Sequence, residues 1–271
     1  MDLLELEKPL SSTVDIECDR IRASDDIGAP PFVLLIDGVG KMTRGDISVV
    51  SGIAKSKKTY ALKLLMAGLV KRESIHSKFQ PMIDKGIAWM DTEQSPYDAQ
   101  MVTKHIKSMA GSDENLLFYA LRRYDYKTRI QKIDKFLQEN GKNIDLLVID
   151  GIRDLVRDFN DVGETAEILS RLMGWNVDYD IHITTVLHGN KSDGNMRGHL
   201  GTELENKSQF ALKVTRDEHN KNVSLVEETF GRGKDIQPFK IRINERGLPE
   251  VVDDDYYETG EDNNNAPWEK R

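Results

Sequence analysis

The chain has 271 residues, enough for one large α/β domain with small appendages. Its net charge is −8, but residues 253–271 hold seven acidic and two basic side chains, so the remainder is close to neutral. This balance excludes a basic protein that simply coats nucleic acid, and no apolar run reaches the roughly 18 residues of a membrane span. The single cysteine, Cys18, excludes an internal disulfide and predicts a reducing, cytoplasmic location.

The first 31 residues are predicted to form an arm. A short helical segment near Leu3–Leu10 precedes polar sequence that ends in Gly-Ala-Pro-Pro. The body spans residues 32–252, where apolar runs alternate with amphipathic ones. Residues 253–271 form an acidic tail whose polar composition predicts disorder. The sequence therefore predicts an arm, one folded domain and a tail.

The alternation within the body predicts an α/β fold. Predicted strands are Phe32–Val39, Ile47–Val50, Ile87–Met90, Leu116–Leu121, Ile144–Ile149, Ile181–Leu187, Phe210–Thr215, Val223–Glu228 and Pro238–Ile243. Predicted helices are Thr59–Val70, Pro96–Ala110, Lys127–Glu139, Glu164–Val177 and a short one after Gly201. Strands that alternate with helices predict a mostly parallel twisted sheet flanked by helices. The short loops between the last strands predict an antiparallel C-terminal edge.

The segment from Ser51 to Thr59, SGIAKSKKT, is close to the phosphate-loop pattern G-x-x-x-x-G-K-[ST]. Gly52 opens the pattern, Lys58 and Thr59 close it, and Lys57 stands where the second glycine is expected. Backbone N–H groups at a helix start form an anion cradle. The predicted nucleotide-binding residues are Gly52, Ala54, Lys55, Ser56, Lys57, Lys58 and Thr59. Lys58 would reach the β- and γ-phosphates and the Thr59 hydroxyl would bind Mg²⁺; the alternative is a basic, solvated helix start.

Two acidic residues follow predicted strands. Asp150 ends the apolar run Leu146–Ile149 and is predicted to hold Mg²⁺ opposite Thr59. Glu93 follows the strand after the loop helix, where a carboxylate can orient and deprotonate an attacking water. The alternative for Glu93 is an acid placed at a helix start, where the helix dipole favours it.

His188 closes another predicted strand, at a position that would face the γ-phosphate and report hydrolysis to the next loop. An ordinary surface or core histidine is the alternative. The loop after it is rich in glycine and asparagine and carries Lys191 and Arg197. Together with Arg153 and Arg157, these cations predict contacts to single-stranded DNA, unless the loop is only a flexible connection.

The motifs GIAKSKKT, WMDTEQS, LLVIDGIRDL, TTVLHGNK and RGHLGTELENKSQFALKVTRD resemble, in this order, those of the RecA-like P-loop ATPase superfamily. Within it the chain is most similar to RepA-like hexameric helicases and to small AAA-family ATPases of plasmids and mobile elements. The resemblance extends from about Phe32 to Gly247. It implies a RecA-like core that binds ATP and Mg²⁺ and assembles with itself as a ring, with six subunits expected, or as a filament.

The resemblance also assigns a role to the turn Phe230–Lys234. It matches the hairpin that delivers basic fingers to a neighbouring subunit's ATP, with Arg232 and Lys234 as the candidates. A polar hairpin turn is the alternative. Lys57 departs from the family pattern, and a residue other than glycine at positive φ costs about 1 kcal/mol. ATP binding is still expected with Lys57 at this position, whereas fast hydrolysis is not implied.

Three functions remain in competition. The first is Mg²⁺-dependent ATP hydrolysis coupled to single-stranded DNA, in replication or mobilisation of an element. The second is a KaiC-like regulatory module that binds ATP and assembles without moving on DNA. The third is a P-loop kinase, which is disfavoured because no segment resembles a lid and because Glu93 suits water activation. Stimulation of ATP hydrolysis by single-stranded DNA separates the first two.

Overall fold

The computed structural model describes residues 16–189, 196 and 198–252. The predicted helical segment near Leu3–Leu10, the tail 253–271, and both Lys191 and Arg197 lie outside these residues. Residues 16–31 are exposed wherever their side chains are described, and they contain one short 3₁₀ turn, Glu17–Asp19. No helix in the described part of the chain combines the length and apolar character that crossing a bilayer requires.

Twelve strands make up two sheets in the described residues. They are β1 (Phe32–Ile36), β2 (Val39–Thr43), β3 (Ile47–Gly52), β4 (Phe79–Pro81), β5 (Gly86–Asp91), β6 (Leu116–Ala120), β7 (Ile144–Asp150), β8 (His182–His188), β9 (Phe210–Arg216), β10 (Val223–Gly231), β11 (Phe239–Ile243) and β12 (Pro249–Val252). The large sheet has the order β6-β5-β7-β8-β3-β9-β10-β11-β12, and the small one β2-β1-β4. The neighbouring strands β6, β5, β7, β8, β3 and β9 are all parallel. Strands β10, β11 and β12 each run antiparallel to their neighbours. The predicted α/β fold with a mostly parallel sheet and an antiparallel C-terminal edge is confirmed.

Helices cover both faces of the large sheet. They are α1 (Lys58–Lys71), α2 (Pro96–Ala110), α3 (Tyr126–Asn140), α4 (Val162–Asp178) and α5 (Gly198–Lys207). Helices α1 and α2 share one apolar core with the small sheet, while α3, α4 and α5 form the other. All seven residues of β7 are buried, and its central residues Leu146–Ile149 are a continuous apolar run rather than an alternating one, with Asp145 and Asp150 on either side. Ser95 caps α2 by accepting a hydrogen bond from the Asp98 backbone N–H, with proline at N1 as expected.

The prediction of one strand over Phe32–Val39 is wrong. Asp37 and Gly38 both have positive φ, 53° and 73°, and turn the chain back so that β2 pairs antiparallel with β1. Asp-Gly is a favoured pair for a two-residue hairpin turn whose two central residues both need positive φ. The short helix also begins earlier than predicted, at Gly198, and β4 and β12 were not predicted.

The direction of the parallel strands defines two edges of the large sheet. The carboxyl edge contains the last residues of β3, β5, β7 and β8, where Gly52 lies beside His188 and Asp91 lies beside Asp150. The amino edge contains their first residues. Every polar residue that the sequence places directly after one of these four strands therefore lies at a single edge.

Candidate active site

The loop after β3 has the backbone shape that its glycine permits. Gly52 adopts a φ of +151°, and a Cβ there would lie 2.4 Å from the Val214 carbonyl oxygen and 2.6 Å from Ser56 Oγ. Any larger residue would push the loop away from β9. Helix α1 begins at Lys58, directly after the loop. A strand, a tight glycine turn and a helix N-terminus thus follow one another, which is the arrangement that places backbone N–H groups around an anion.

Lys57 adopts the left-handed conformation, with φ 72° and ψ 31°. The position therefore has the geometry that favours glycine, as expected from the pattern. The Lys57 ammonium group donates a hydrogen bond to the Lys221 carbonyl oxygen in the β9–β10 turn. The Ser224 hydroxyl donates to the Ser56 carbonyl nearby, at 3.1 Å. Burial, followed by the nearby Arg216 charge, lowers the pKa of Lys57 to about 8. These contacts tie the loop to β10 and offset part of the backbone strain.

Lys58, the first residue of α1, is buried against the loop. Its ammonium group donates to the Gly52 and Ile53 carbonyl oxygens at 2.9 and 3.0 Å, and its Nζ lies 3.2 Å from His188 Nδ1. Burial lowers the pKa of Lys58, and the carboxylates of Glu93 and Asp150 oppose that shift. A cation is therefore held against the loop backbone by two carbonyl oxygens.

His188 connects Lys58 to Glu93. Lys58 has only donor hydrogens, so His188 Nδ1 must accept and its Nε2 must carry the proton. That Nε2 lies 3.2 Å from Glu93 Oε1 and donates to the carboxylate. This hydrogen bond is the main reason that the pKa of Glu93 lies below its usual value. Glu93 is consequently an ionised, half-exposed carboxylate held by a histidine from β8.

Asp150 and Asp91 lie opposite one another at the ends of β7 and β5. Asp150 Oδ2 is buried and has no hydrogen-bond partner among the described residues. Burial, together with the charges of Asp91 and Glu93, raises the pKa of Asp150 to about 8. A buried carboxyl oxygen without a hydrogen-bond partner is costly in a folded protein. Its retention is typical of a position that binds a cation or a proton.

Asp91 belongs to the site, although no role was predicted for it. Its Oδ1 accepts hydrogen bonds from the backbone N–H groups of Glu93 and Gln94, at 3.0 and 2.7 Å. Its Oδ2 accepts from Gln94 Nε2 at 2.7 Å. Asp91 therefore fixes the turn that carries Glu93. The signal was present in the sequence, because an acid directly after a buried strand lies at the same edge as Asp150.

Gly151 leaves room for this turn. Its φ is +100°, and a Cβ there would lie 2.2 Å from Thr92 Oγ1 and 2.9 Å from Glu93 Cγ. The Thr92 hydroxyl lies 2.9 Å from the Asp150 carbonyl oxygen and so bridges β5 to β7. Substitution of Gly151 would displace Glu93.

Arg232 and Lys234 do not join this cluster within the chain. They follow β10, whose last residue, Gly231, pairs with the first residue of β9 at the amino edge. Arg232 is 71 % exposed and its Nη1 lies 3.7 Å from Asp46, just before β3. The turn thus connects two C-terminal strands as predicted, but at the edge opposite to Lys58.

The cations predicted to contact DNA are only partly described. Arg153 lies in the segment after β7, where its charge contributes to the lowered pKa of Glu93 and its guanidinium packs over the Phe159 ring at 4.9 Å. Arg157 is exposed and pairs with Glu164 at 3.3 Å. Lys191 and Arg197 lie outside the described residues. Arg153 therefore lies close enough to Glu93 to affect its charge, which contact with DNA alone would not require.

The donor set fits Mg²⁺ held jointly with a phosphate. Within the described residues, no group of three or more His, Cys, Asp or Glu side chains is arranged to hold a metal ion. Mg²⁺ commonly uses only one or two protein oxygens, with water and substrate phosphates completing its shell. The unpartnered Asp150 Oδ2 and the Thr59 hydroxyl, in the first turn of α1, are oxygens of this kind.

No family model matches the chain, and neither does any curated protein. The assignment of function therefore depends on the geometry of the site and on the sequence motifs.

Proposed function

We propose that this protein is a Mg²⁺-dependent ATPase with a RecA-like core, similar to RepA-type helicases, that acts on single-stranded DNA. One observation carries the proposal. The lysine, histidine and two acids that the sequence motifs single out, Lys58, His188, Glu93 and Asp150, meet at one edge of the sheet beside a glycine loop. The strand order supports it, since the loop strand β3 is central and the acids end β5 and β7.

The residues divide the chemistry between them. The loop N–H groups and Lys58 would bind the phosphates, because Lys58 can exchange its two carbonyl partners for phosphate oxygens. Thr59 and Asp150 would hold Mg²⁺, which supplies charge neutralisation at the phosphate oxygens. Glu93 would orient a water and accept its proton as the water oxygen attacks the γ-phosphorus, while the bond from that phosphorus to the β,γ-bridging oxygen breaks and ADP leaves. His188 would sense the change in charge at Glu93 through their hydrogen bond.

The site is proposed to be completed by a second copy of the chain. Arg232 and Lys234 lie at the opposite edge from Lys58, so neither reaches the nucleotide of its own subunit. In a ring or filament the exposed turn of one subunit would meet the carboxyl edge of the next. A guanidinium there stabilises charge on the transferred phosphoryl group and contributes on the order of 10³-fold in rate.

A mixing experiment tests this arrangement. Arg232→Ala should leave ATP binding intact and nearly abolish turnover, and parental specific activity should rise with protein concentration. Mixing Arg232→Ala with Glu93→Gln subunits should restore activity, since one interface then has both halves intact. Concentration-independent turnover without complementation would mean that one subunit holds the complete site.

Single-stranded DNA tests the remaining part of the proposal. If ATP hydrolysis is coupled to single-stranded DNA, ATP turnover should rise when the DNA is added. The mass of the protein measured with ATP should then be that of an assembled ring. Two cations within the described residues support contact with DNA. They are Arg157, which is exposed, and Arg153, which lies beside the acidic residues. Turnover that ignores DNA would support the KaiC-like regulatory module instead.

A further inference from the structure

Lys41 and Glu228 form a buried ion pair far from the carboxyl edge. Lys41 Nζ lies 2.6 Å from Glu228 Oε1, and the two side chains are only 1 % and 3 % exposed. Lys41 belongs to β2 of the small sheet and Glu228 to β10 of the large one. Removing two charges from water costs so much that a buried pair is weak grounds for stability. The pair therefore needs another explanation.

The other oxygen of Glu228 holds the loop after β10. Oε2 accepts a hydrogen bond from the Ile236 backbone N–H at 3.0 Å, and Ile236 is buried. At the other end of the loop, a Cβ on Gly231 would lie 1.7 Å from Glu228 Oε1 and 3.2 Å from Lys41 Nζ. The carboxylate thus occupies the space beside Gly231 and binds the chain five residues later, so it spans the base of the loop.

A second carboxylate from the small sheet extends this support. Asp37 Oδ2 accepts from the Gln237 backbone N–H at 3.0 Å, and Asp37 Oδ1 pairs with Lys78 at 2.7 Å. The loop is held at 236–237, whereas all four residues 232–235 are exposed. Anchored ends and an exposed tip are the features of a segment that is presented to a partner in a fixed shape.

We propose that Lys41 and Glu228 are positioning residues that hold the loop 232–235 so that Arg232 reaches the nucleotide of a second copy of the chain. The inference rests on the proposed function. Glu228 binds the loop directly, and Lys41 fixes the rotamer and the charge of Glu228. A finger held in advance loses less conformational freedom at the interface, and a displacement of about 1 Å at a reacting group can cost about 10²-fold in rate.

The test uses two double variants that both remove the buried charges. The first, Lys41→Met with Glu228→Met (called Met/Met), leaves no acceptor for the Ile236 N–H. The second, Lys41→Met with Glu228→Gln (called Met/Gln), keeps an amide oxygen there. The Met/Met protein should bind ATP as the parent does and turn over about 10²-fold more slowly. The conservative Met/Gln protein should recover most of that loss. Thermal unfolding of both proteins controls for folding.

Subunit mixing separates positioning from general damage. Met/Met subunits mixed with Glu93→Gln subunits should regain activity, because the first supply Glu93 and the second supply an anchored loop. Met/Met subunits mixed with Arg232→Ala subunits should not, since both lack a working finger. If Met/Met fails to fold, Gly231→Ala replaces it, because its Cβ displaces the Glu228 carboxylate while both charges remain.

The outcomes distinguish the inference from the function on which it rests. Three results would overturn the positioning role alone. The first is parental turnover in Met/Met or in Gly231→Ala, and the second is equal turnover in Met/Met and Met/Gln. The third is activity regained when Met/Met subunits are mixed with Arg232→Ala subunits. Failure of Arg232→Ala and Glu93→Gln to complement each other would overturn the shared site, and the inference with it.

Discussion

The two ends of β7 each bury an aspartate, and the two aspartates differ in their partners. Asp145, near the amino edge, accepts hydrogen bonds from the backbone N–H groups of Asp84 and Lys85, and its Oδ1 lies 2.9 Å from Arg44 Nη2. Asp150, at the carboxyl edge, has the acids Asp91 and Glu93 as neighbours, with Lys58 as an opposing charge, and its Oδ2 has no hydrogen-bond partner among the described residues.

The difference separates structural from functional polar groups within one strand. Asp145 Oδ2 accepts two backbone hydrogen bonds, and its Oδ1 makes no hydrogen bond but lies in an ion pair with Arg44, so the contribution of Asp145 is to folding. Asp150 lies in an arrangement that is unfavourable until a cation or a proton joins it. Burial alone does not distinguish the two residues; their partners do.

Removing Asp145 is expected to have the largest effect. Asp145→Ala should lower the free energy of unfolding by about 3–5 kcal/mol, because Arg44 and two backbone N–H groups lose their buried partner. Urea unfolding measures this loss. Asp84→Ala is the matched control, since Asp84 is the exposed partner of the same arginine and should cost under about 1 kcal/mol. Equal losses in the two variants would remove the contrast between the ends of β7.

Asp150→Asn should have the opposite sign. The folded-state pKa of about 8 lies above the ordinary aspartate pKa of 3.8, so the carboxyl group increasingly destabilises the fold as pH rises from about 4 to 8. At pH 7 the variant should be more stable than the parent by about 4 kcal/mol, and the difference should nearly vanish at pH 4.

The same variant should also weaken the Mg²⁺ dependence of nucleotide binding. Unfolding curves from pH 4 to 8, with and without Mg²⁺-ATP, measure both effects. A variant less stable than the parent at pH 7 would show that Asp150 has a structural partner.

Glu93→Gln tests whether the carboxylate beside Asp150 acts as a base in ATP hydrolysis. Gln keeps the shape of the side chain and can still accept from His188, but it is a poor proton acceptor. Mg²⁺-ATP binding should be unchanged, while turnover should fall by about 10²-fold. Single-turnover hydrolysis measures the chemical step. A parental rate would reduce Glu93 to an acid at a helix start and place the base elsewhere.

The strand and helix pattern of the body was predictable because each element has a strong local signal. Continuous apolar runs predict buried parallel strands, and the Ser95-Pro96 pair predicts the start of α2. The β1–β2 hairpin was missed since Phe32–Val39 is apolar almost throughout, although Asp37-Gly38 is a turn signal. Small elements such as β4 and β12 depend on tertiary pairing rather than on their own residues.

The candidate site was predictable in its members but not in its contacts. Strand-end positions place Asp150, Glu93 and His188 at one edge once the strands are parallel. The sequence does not give the hydrogen bonds that link Lys58, His188 and Glu93, nor the use of Asp91 to fix the turn. Those depend on side-chain approach across strands, as does the buried pair of Lys41 and Glu228.

The affinity of Lys58→Ala for Mg²⁺-ATP tests the central assignment most directly. Calorimetric titration should show binding about 30-fold weaker than in the parent, because a charge-assisted contact to phosphate is lost. Lys57→Gly is the matched control, one residue away; it relieves the left-handed strain and should bind at least as tightly as the parent. Unchanged affinity in Lys58→Ala would contradict the phosphate loop and, with it, the proposed ATPase.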